Sequence, residues 1–415
     1  MDVTQNVPLN IAIVLFLGIL GGRLIAKIKI PEVTGYFLVG IVVGPSVCNI
    51  LSQESIEPLR VISEIALGLI LFSIGGEICF DRFKKIGRKI LPVVLSEGFG
   101  TFTVVLVTIF FIAGTIMTKH EAANMSVLLA SIAIATAPAA TLLVLREYHS
   151  KGILTEYILA VVALNNLLCL IVFRLALLGV KFFMPIDPND ASLLTAALLS
   201  LWEIAGSILL GGIIGGILSF WAQKEENFSE LVMIMGGALL LGIGCARALN
   251  LSPLLTAMSM GCIIANFSPM KKEIFTAIKH TDPPLYVSFF VLSGAELDMG
   301  ALKFIGIIGV GYVLSRIAGK IIGAYVGANL VHASKPIKKY LGISLIPQAG
   351  VALGLALALK WIHLPGEDGM GAKILTIILA SVIIYEIIGP IFTRFAIVKA
   401  GEAQTKTYVS KAKWI

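Results

Sequence analysis

Long apolar segments separated by short polar connections run along the chain from Asn10 to Val398. A helix needs about 20 predominantly apolar residues to cross a hydrocarbon core of about 30 Å. The pattern predicts thirteen such spans, each to within a few residues: 10–28, 33–51, 62–79, 90–117, 125–145, 154–180, 193–222, 230–249, 253–268, 282–298, 305–331, 340–361 and 373–398. Residues 1–415 are therefore expected to form a single all-α membrane transporter domain of about thirteen transmembrane helices.

The composition agrees with a chain that lies in the bilayer. Of its 415 residues, 57% are hydrophobic and 14% are charged, whereas charged residues make up about 25% of a typical soluble domain. A water-soluble fold of this length could not bury so much apolar surface. The N-terminal segment lacks a basic region followed by a small-residue cleavage site, so the first span is expected to be retained.

The net charge of +7 is spread over alternate connections rather than gathered in one stripe, which argues against a nucleic-acid partner. Cytoplasmic loops of membrane proteins carry the excess of lysine and arginine. This rule places the N-terminus outside and the C-terminus in the cytoplasm, across a bacterial inner (plasma) membrane. The basic segments expected inside are 23–29, 82–89, 271–279, 335–339 and the chain from 394 onward.

A short internal echo relates two of the predicted spans. Residues 72–78 (FSIGGEI) resemble residues 291–297 (VLSGAEL), which lie seven helices later. An odd number of crossings gives the two copies opposite orientations, and inverted repeats of this kind are typical of secondary transporters. The predicted division is a first repeat of six helices over 1–182, a linker helix over 193–222, a second repeat over 230–398 and a cytoplasmic tail over 399–415.

The fifth and twelfth spans, at matching places in the two repeats, contain a proline inside an apolar helix. The polar and small residues there are Thr136, Ala137 and Pro138 in one span and Pro347 and Gln348 in the other. Proline removes a backbone hydrogen bond and distorts the preceding turn, and unwound backbone that faces a cavity can coordinate an ion. A simple kink explains either proline alone. The matching pair favours a substrate site near mid-bilayer, where two broken helices cross.

Five further polar residues lie deep in the predicted spans: Asn165, Asn166, Arg316, Lys320 and Glu386. A charge at the bilayer centre costs about 2.5–3.5 kcal/mol on the insertion scale, so it normally faces the protein interior and has a partner or a function. Snorkelling towards an interface is the alternative for the two cations, and a fixed ion pair or helix cap is the alternative for the glutamate. Three glutamates nearer the ends of their spans are expected to be structural: Glu64, Glu97 and Glu203.

No sequence feature supports an enzyme, a bound cofactor or a permanent metal ion. The five histidines lie outside the spans or at their ends, and the chain lacks a Ser/His/Asp arrangement and a phosphate-binding glycine loop. The five cysteines lie in apolar segments without the spacing of metal ligands, which is typical of inert buried thiols. A channel would share the composition, but paired broken helices in inverted halves favour alternating access.

Glycine and proline landmarks recur in order along nearly the whole chain: PEVTGYFLVG (31–40), GPS (44–46), ATAPAAT (135–141), VALNN (162–166), Phe289-Phe290 to Asp298, and PQAGVALG (347–354). Together they resemble the Kef/NapA-like branch of the monovalent cation:proton antiporter superfamily. The resemblance implies the NapA/NhaA-like antiporter fold, in which a core domain moves as an elevator beside a dimerisation domain. It also implies a homodimer in membrane lipid that exchanges sodium or potassium for protons.

The sequence departs from this family at the ion site. Relatives carry acidic residues at the positions that match Asn165 and Asn166, and some carry one at the position of Ala137. A transported Na⁺ or K⁺ would bind near the asparagine pair if both residues were acidic. In electrogenic relatives a basic residue pairs with the first acid. That residue matches Lys320, with Arg316 as the second candidate, so the resemblance implies that the acidic partner of Lys320 is missing here.

An amide has no proton equilibrium in the working pH range, so the asparagine pair cannot carry the proton. One explanation is an antiporter that is inactive or trapped in a protonated-like state, whether the pair is natural or engineered. A second is a natural transporter that couples differently, with Lys320 or Glu386 as the titrating group. A third is a small-anion transporter, because the cavity would be net positive. A scaffold or sensor without transport is the remaining alternative.

Overall fold

A computed structural model describes residues 6–27, 32–80, 87–183, 193–225, 227–297, 299–360 and 369–403. Within these ranges the chain forms helices joined by short turns, without a strand. Residues 28–31, 82–86, 298 and 404–415, which entered the sequence predictions, lie outside the described part. The helices, numbered in chain order, are α1 (Val7–Ala26), α2 (Glu32–Val43), α3 (Gln53–Ile56), α4 (Arg60–Gly75), α5 (Ile90–Ala113), α6 (Lys119–Ala133), α7 (Pro138–Glu147), α8 (Ile153–Phe183), α9 (Leu193–Ala222), α10 (Phe228–Ala248), α11 (Pro253–Phe267), α12 (Lys271–Ala295), α13 (Met299–Leu330), α14 (Lys335–Ser344), α15 (Gly350–Lys360) and α16 (Met370–Lys399).

The predicted all-helical membrane architecture is confirmed. In the described part of the chain, eight helical segments are long and apolar enough to cross a membrane, and α11 and α15 are shorter apolar helices. Each predicted span overlaps one helix or, for the fifth and twelfth spans, a pair of helices. The count of thirteen crossings stays a prediction.

Several helices begin earlier than the apolar pattern predicts, and α6 and α12 show why. α6 starts at Lys119 instead of residue 125, because Thr118 and Glu121 form a capping box at its N-terminus. The hydrogen bonds from Thr118 hold the pKa of the Glu121 carboxyl below its ordinary value. α12 starts at Lys271 instead of residue 282. Its first turns are polar, so they are helical without contributing to the hydrophobic signal.

α5 and α13 pack backbone against backbone. Gly319, Gly323 and Gly327 of α13 face α5: a Cβ on Gly323 would lie 2.8 Å from the carbonyl oxygen of Glu97, and a Cβ on Gly319 would lie 2.7 Å from Cα of Thr101. Small residues allow transmembrane helices to approach this closely. The contact brings α5 against the C-terminal half of α13.

The two segments of the internal echo make the same kind of glycine contact. Gly75, at the end of α4, lies against α11, where a Cβ would be 2.0 Å from the carbonyl oxygen of Met258. Gly294, near the end of α12, lies against α2, where a Cβ would be 2.2 Å from the carbonyl oxygen of Phe37. The third span of each predicted repeat thus packs on the second span of the other. This exchange supports a two-fold relation, while the repeat boundaries stay a prediction.

The last described residues return to the start of α8. The carboxylate of Glu402 accepts hydrogen bonds from the backbone N–H groups of Leu154 and Thr155 and from the Thr155 hydroxyl, each at 2.7 Å. The first N–H groups of a helix have no partner within the helix, and negative charge is favourable at that end. Glu402 therefore caps the helix that carries Asn165 and Asn166.

Candidate functional site

Two helix breaks meet in the protein interior. The backbone is not helical at residues 134–137, between α6 and α7, and at 345–349, between α14 and α15. The breaks touch through a backbone hydrogen bond from the N–H of Ala137 to the carbonyl oxygen of Pro347, 2.9 Å long. Pro138 begins α7, where a missing N–H costs no hydrogen bond. The crossing of broken helices is therefore present, and its role as a substrate site stays a prediction.

Arg316 of α13 is fully buried in the crossing and binds its free carbonyl groups. The guanidinium donates to the carbonyl oxygens of Ala133 at 2.9 Å, Ala135 at 2.6 Å and Ile346 at 2.7 Å. It also stacks on Tyr385, 4.6 Å from the ring centroid. Its charge offsets the negative ends of α6 and α14, which both terminate at the crossing. These contacts give Arg316 a structural role, because they join the two breaks.

Gln348 and Asn166 pair with other polar groups of the crossing. The Gln348 amide donates to the carbonyl oxygen of Ile132 at 3.1 Å. The Asn166 amide accepts from the N–H of Thr136 at 3.2 Å and donates to the carbonyl oxygens of Thr136 at 2.9 Å and Val162 at 3.1 Å. Both amides are fully buried. Both the oxygen and the nitrogen of the Asn166 amide are therefore hydrogen-bonded.

Lys320, one turn beyond Arg316 on α13, reaches the first break with its ammonium group. Its Nζ donates to the carbonyl oxygen of Ile134 at 2.7 Å and to the hydroxyl of Thr136 at 3.0 Å. It also forms an ion pair with the carboxylate of Glu97 at 2.8 Å, and both charged side chains have 0% exposure. The snorkelling alternative is therefore wrong for both basic residues of α13.

Glu97, which the sequence predicts to be a structural residue near the end of its span, is the acidic partner of Lys320. One carboxylate oxygen pairs with Lys320, and the other accepts a hydrogen bond from Nδ2 of Asn165 at 2.5 Å. The prediction that Lys320 lacks an acidic partner is wrong, because close packing of α5 on α13 buries Glu97 completely. A signal was present in the segment Ser-Glu-Gly-Phe-Gly-Thr (96–101), whose small residues are typical of close helix packing.

The amide of Asn165 is only partly satisfied. Its Nδ2 donates to Glu97, whereas its Oδ1 has no hydrogen-bond partner within the described ranges, although the side chain is fully buried. The nitrogen must face Glu97 because an ionised carboxylate only accepts hydrogen bonds. A free amide oxygen therefore lies beside the Glu97–Lys320 pair.

The oxygens around the ammonium group of Lys320 are of the kinds that coordinate alkali cations in transporters. They include the carboxylate of Glu97, the main-chain carbonyl of Ile134 and the hydroxyl of Thr136. The amide oxygen of Asn165 lies next to the carboxylate. Unwound carbonyls and carboxylates at broken helices can replace the hydration shell of a cation. The first break and its neighbours therefore offer oxygens of the kinds that bind monovalent cations.

Two predicted site residues make no side-chain hydrogen bond or ion pair with this cluster in the described part of the chain. Glu386 is buried on α16, and no ion pair joins it to another side chain in the described part of the protein. Pro138 lines a small pocket together with Glu77 and Thr141. Among the described residues, no group of three or more His, Cys, Asp or Glu side chains could hold a metal ion.

Known proteins similar to this chain are membrane antiporters. The sodium/hydrogen exchanger family, transmembrane region, matches residues 11–395. The ammonium/H(+) antiporter subunit AmhT of Alkalihalophilus pseudofirmus is 24% identical over 349 residues, which cover 83% of this chain and 84% of that protein. The high-affinity Na(+)/H(+) antiporter NhaS3 of Synechocystis sp. is 22% identical over 400 residues, which cover 85% of this chain and 83% of that protein.

The fold is also similar to that of a solved antiporter. The sodium proton antiporter MjNhaP1 from Methanocaldococcus jannaschii at pH 8 superimposes with a TM-score of 0.77. The match covers 94% of this chain and 97% of that one, at 17% sequence identity. The two proteins therefore share their fold over nearly the whole length.

Proposed function

The chain belongs to the sodium/hydrogen exchanger family, and from this premise we propose that it is a secondary active transporter that exchanges a monovalent cation for protons across a bacterial inner membrane. Sodium or potassium is the expected cation. The glycine and proline landmarks favour the Kef/NapA-like branch of the family. Relatives along most of the chain are an ammonium/H⁺ and a Na⁺/H⁺ antiporter, which supports cation:proton exchange and adds ammonium to the cations to be tested.

The observation that carries the proposal is the binding of one ammonium group at the crossing. Nζ of Lys320 is held by a carboxylate, a carbonyl and a hydroxyl oxygen at 2.7–3.0 Å. A dehydrated alkali cation carries the same single charge and binds the same kinds of oxygen. A lone charge at the bilayer centre costs about 2.5–3.5 kcal/mol, and intramembrane charges therefore tend to be functional.

We further propose alternating access of the elevator type in a homodimer. The family resemblance supports this mechanism, and so does the crossing itself, because Arg316 and the bond between Ala137 and Pro347 tie both breaks into one unit. Large apolar side chains of α9, such as Phe220 and Trp221, are exposed and would face lipid or the second copy. The distribution of basic loops supports an external N-terminus and a cytoplasmic C-terminus.

The contacts of Glu97 with Lys320 and Asn165 favour some of the alternative functions over others. The small-anion alternative rested on a cavity in which Lys320 had no acidic partner, and the ion pair with Glu97 removes that reason. The inactive or trapped form rested on the absence of a titratable carboxylate beside Asn165, and the same contact weakens it. Lys320 and Glu386 remain candidate titrating groups. An active exchanger is therefore the better-supported alternative.

Transport by the purified chain in proteoliposomes tests the proposal. Vesicles that contain a pH-sensitive dye receive Na⁺, K⁺ or Li⁺, with choline and protein-free vesicles as controls, and a saturable cation-dependent proton flux is expected. Ammonium is compared with protein-free vesicles because ammonia crosses bilayers unaided. If the chain is inactive with every cation and flux appears only after Asn165→Asp and Asn166→Asp, the trapped form is established instead.

A further inference from the structure

We infer that Glu97 of α5 is the carboxylate that binds the transported cation and exchanges it for a proton. It would replace the acidic residues that the family resemblance implies at Asn165 and Asn166. The inference rests on the proposed function and names the group that couples the two fluxes. Three features carry it: the position of the carboxylate, the free oxygen beside it, and the separate support of Lys320.

Glu97 reaches the place of the missing acids although it comes from another helix. Its carboxylate contacts the amide of Asn165 at 2.5 Å and the ammonium group of Lys320 at 2.8 Å. A carboxylate therefore lies beside Asn165 and pairs with Lys320, although it belongs to α5 and not to α8. A carboxyl group also has the proton equilibrium that an amide lacks.

A purely structural ion pair does not account for Asn165. Buried polar atoms in proteins nearly always have a hydrogen-bond partner, and the amide of Asn166 follows this rule with three hydrogen bonds. Asn165 is equally buried, yet its Oδ1 has no partner among the residues described. A free oxygen next to a carboxylate is suited to share a cation with it. The pair of Glu97 and Asn165 is therefore a ligand set rather than a closed network.

Lys320 has partners that do not depend on Glu97. The carbonyl of Ile134 and the hydroxyl of Thr136 accept hydrogen bonds from its ammonium group at 2.7 and 3.0 Å. These two bonds keep Nζ of Lys320 in place when the carboxylate binds a proton or a cation instead. Glu97 can therefore change partners without leaving Lys320 unsolvated.

The exchange step balances at one carboxyl group. On one side of the membrane the O–H bond of protonated Glu97 breaks, the proton leaves to water, and the cation contacts the carboxylate and Oδ1 of Asn165. On the other side the cation leaves, and a proton from water forms the O–H bond again. Lys320 is the charged group that pairs with the carboxylate, and Arg316 and the Cys169 thiol of α8 in turn act electrostatically on Lys320. In this scheme Glu97 alone exchanges the proton, and Lys320 and Arg316 take no part in the proton transfer.

The test compares Glu97→Gln with the double variant Glu97→Gln, Asn165→Asp in proteoliposomes. Glutamine keeps the size of the side chain and can still hydrogen-bond to Lys320, but it cannot exchange a proton. Glu97→Gln is expected to reduce cation-dependent proton flux to the level of protein-free vesicles. The double variant places a carboxylate at position 165, on the other side of the 2.5 Å contact with residue 97, and is expected to restore flux. Glu203→Gln, which breaks the pair with Arg174 elsewhere on the chain, should keep the parent flux.

A binding measurement separates this inference from the proposed function. Na⁺, compared with choline, should raise the melting temperature of the parent chain and of the double variant. The increase should be smaller at acid pH, because protons compete with Na⁺ for the carboxylate. The effect should be absent in Glu97→Gln. Flux or Na⁺ stabilisation at the parent level in Glu97→Gln would overturn the inference. If the parent transports no cation, the proposed function fails, while the melting temperatures still decide whether Glu97 binds the ion.

Discussion

Replacing Lys320 with methionine isolates the energetic role of the buried ion pair. Methionine keeps an unbranched apolar chain of similar length but removes the ammonium group. Glu97 then loses its partner at 2.8 Å, and the carbonyl of Ile134 loses its donor at 2.7 Å. Removing one member of a buried pair costs about 3–5 kcal/mol because the remaining charge is uncompensated. We expect the free energy of unfolding to fall by this amount at alkaline pH.

The loss of stability in Lys320→Met should become smaller as the pH falls. Folded Lys320→Met can relieve its buried charge by taking up a proton at Glu97, whereas the unfolded chain exposes the same carboxylate to water. The folded state then binds more protons, so its stability increases as the pH falls, by up to about 1.4 kcal/mol per pH unit. Lys320→Met combined with Glu97→Gln removes both charges of the pair, so no uncompensated carboxylate remains, and it should recover most of the lost stability.

Chemical unfolding of the detergent-solubilised chain at several pH values, followed by circular dichroism, measures both effects. Lys360→Met is the matched control, because Lys360 pairs with Glu296 at a partly exposed site, where an ion pair contributes about 1 kcal/mol or less. The reasoning is refuted if both lysine variants lose the same stability at every pH, or if the double variant is no more stable than Lys320→Met.

Three further outcomes are expected. Gly323→Ala should lower the free energy of unfolding by about 1–3 kcal/mol, because its Cβ would lie 2.8 Å from the carbonyl oxygen of Glu97, whereas Gly309→Ala meets no atom within 4 Å and should not destabilise; equal unfolding curves would contradict this. With a single exchanging carboxylate, one Na⁺ exchanges for one H⁺, so an imposed diffusion potential should not drive Na⁺ accumulation, although one net charge would gain about 2.3 kcal/mol per 100 mV; accumulation driven by the potential would show that the two ions are not exchanged one for one. Glu402→Gln should weaken the cap of α8 by about 1 kcal/mol and speed amide hydrogen exchange at Leu154 and Thr155, and unchanged exchange would argue against the cap.

The crossing could be predicted from local signals. Proline removes a backbone donor wherever it stands in a helix, so Pro138 and Pro347 marked both breaks. Arg316 and Lys320 have apolar neighbours along their helix and therefore had to find partners in the interior. The structure supplies those partners as the free carbonyl groups of the breaks. The prolines of the breaks and the buried basic residues of α13 therefore belong to one arrangement.

The acidic partner of Lys320 could not be predicted in the same way. Counting residues from the start of α5 gives a depth for Glu97 but not its burial, which depends on the glycine contact with a helix distant in sequence. The two asparagines are also equivalent in sequence. Asn166 differs from Asn165 in its hydrogen bonds with the backbone of Thr136, and Asn165 differs in its bond to Glu97; both contacts arise from tertiary packing.

The hydrogen bond between Ala137 and Pro347 also bears on biosynthesis. The first break is made and inserted well before the second, so the N–H of Ala137 and the carbonyls of Ala133 and Ala135 enter the bilayer without the partners that Pro347 and Arg316 later supply. Unpaired backbone groups in hydrocarbon each cost several kcal/mol. The newly inserted N-terminal half therefore cannot reach its final structure by itself, and assembly in the membrane is completed only when the C-terminal half arrives.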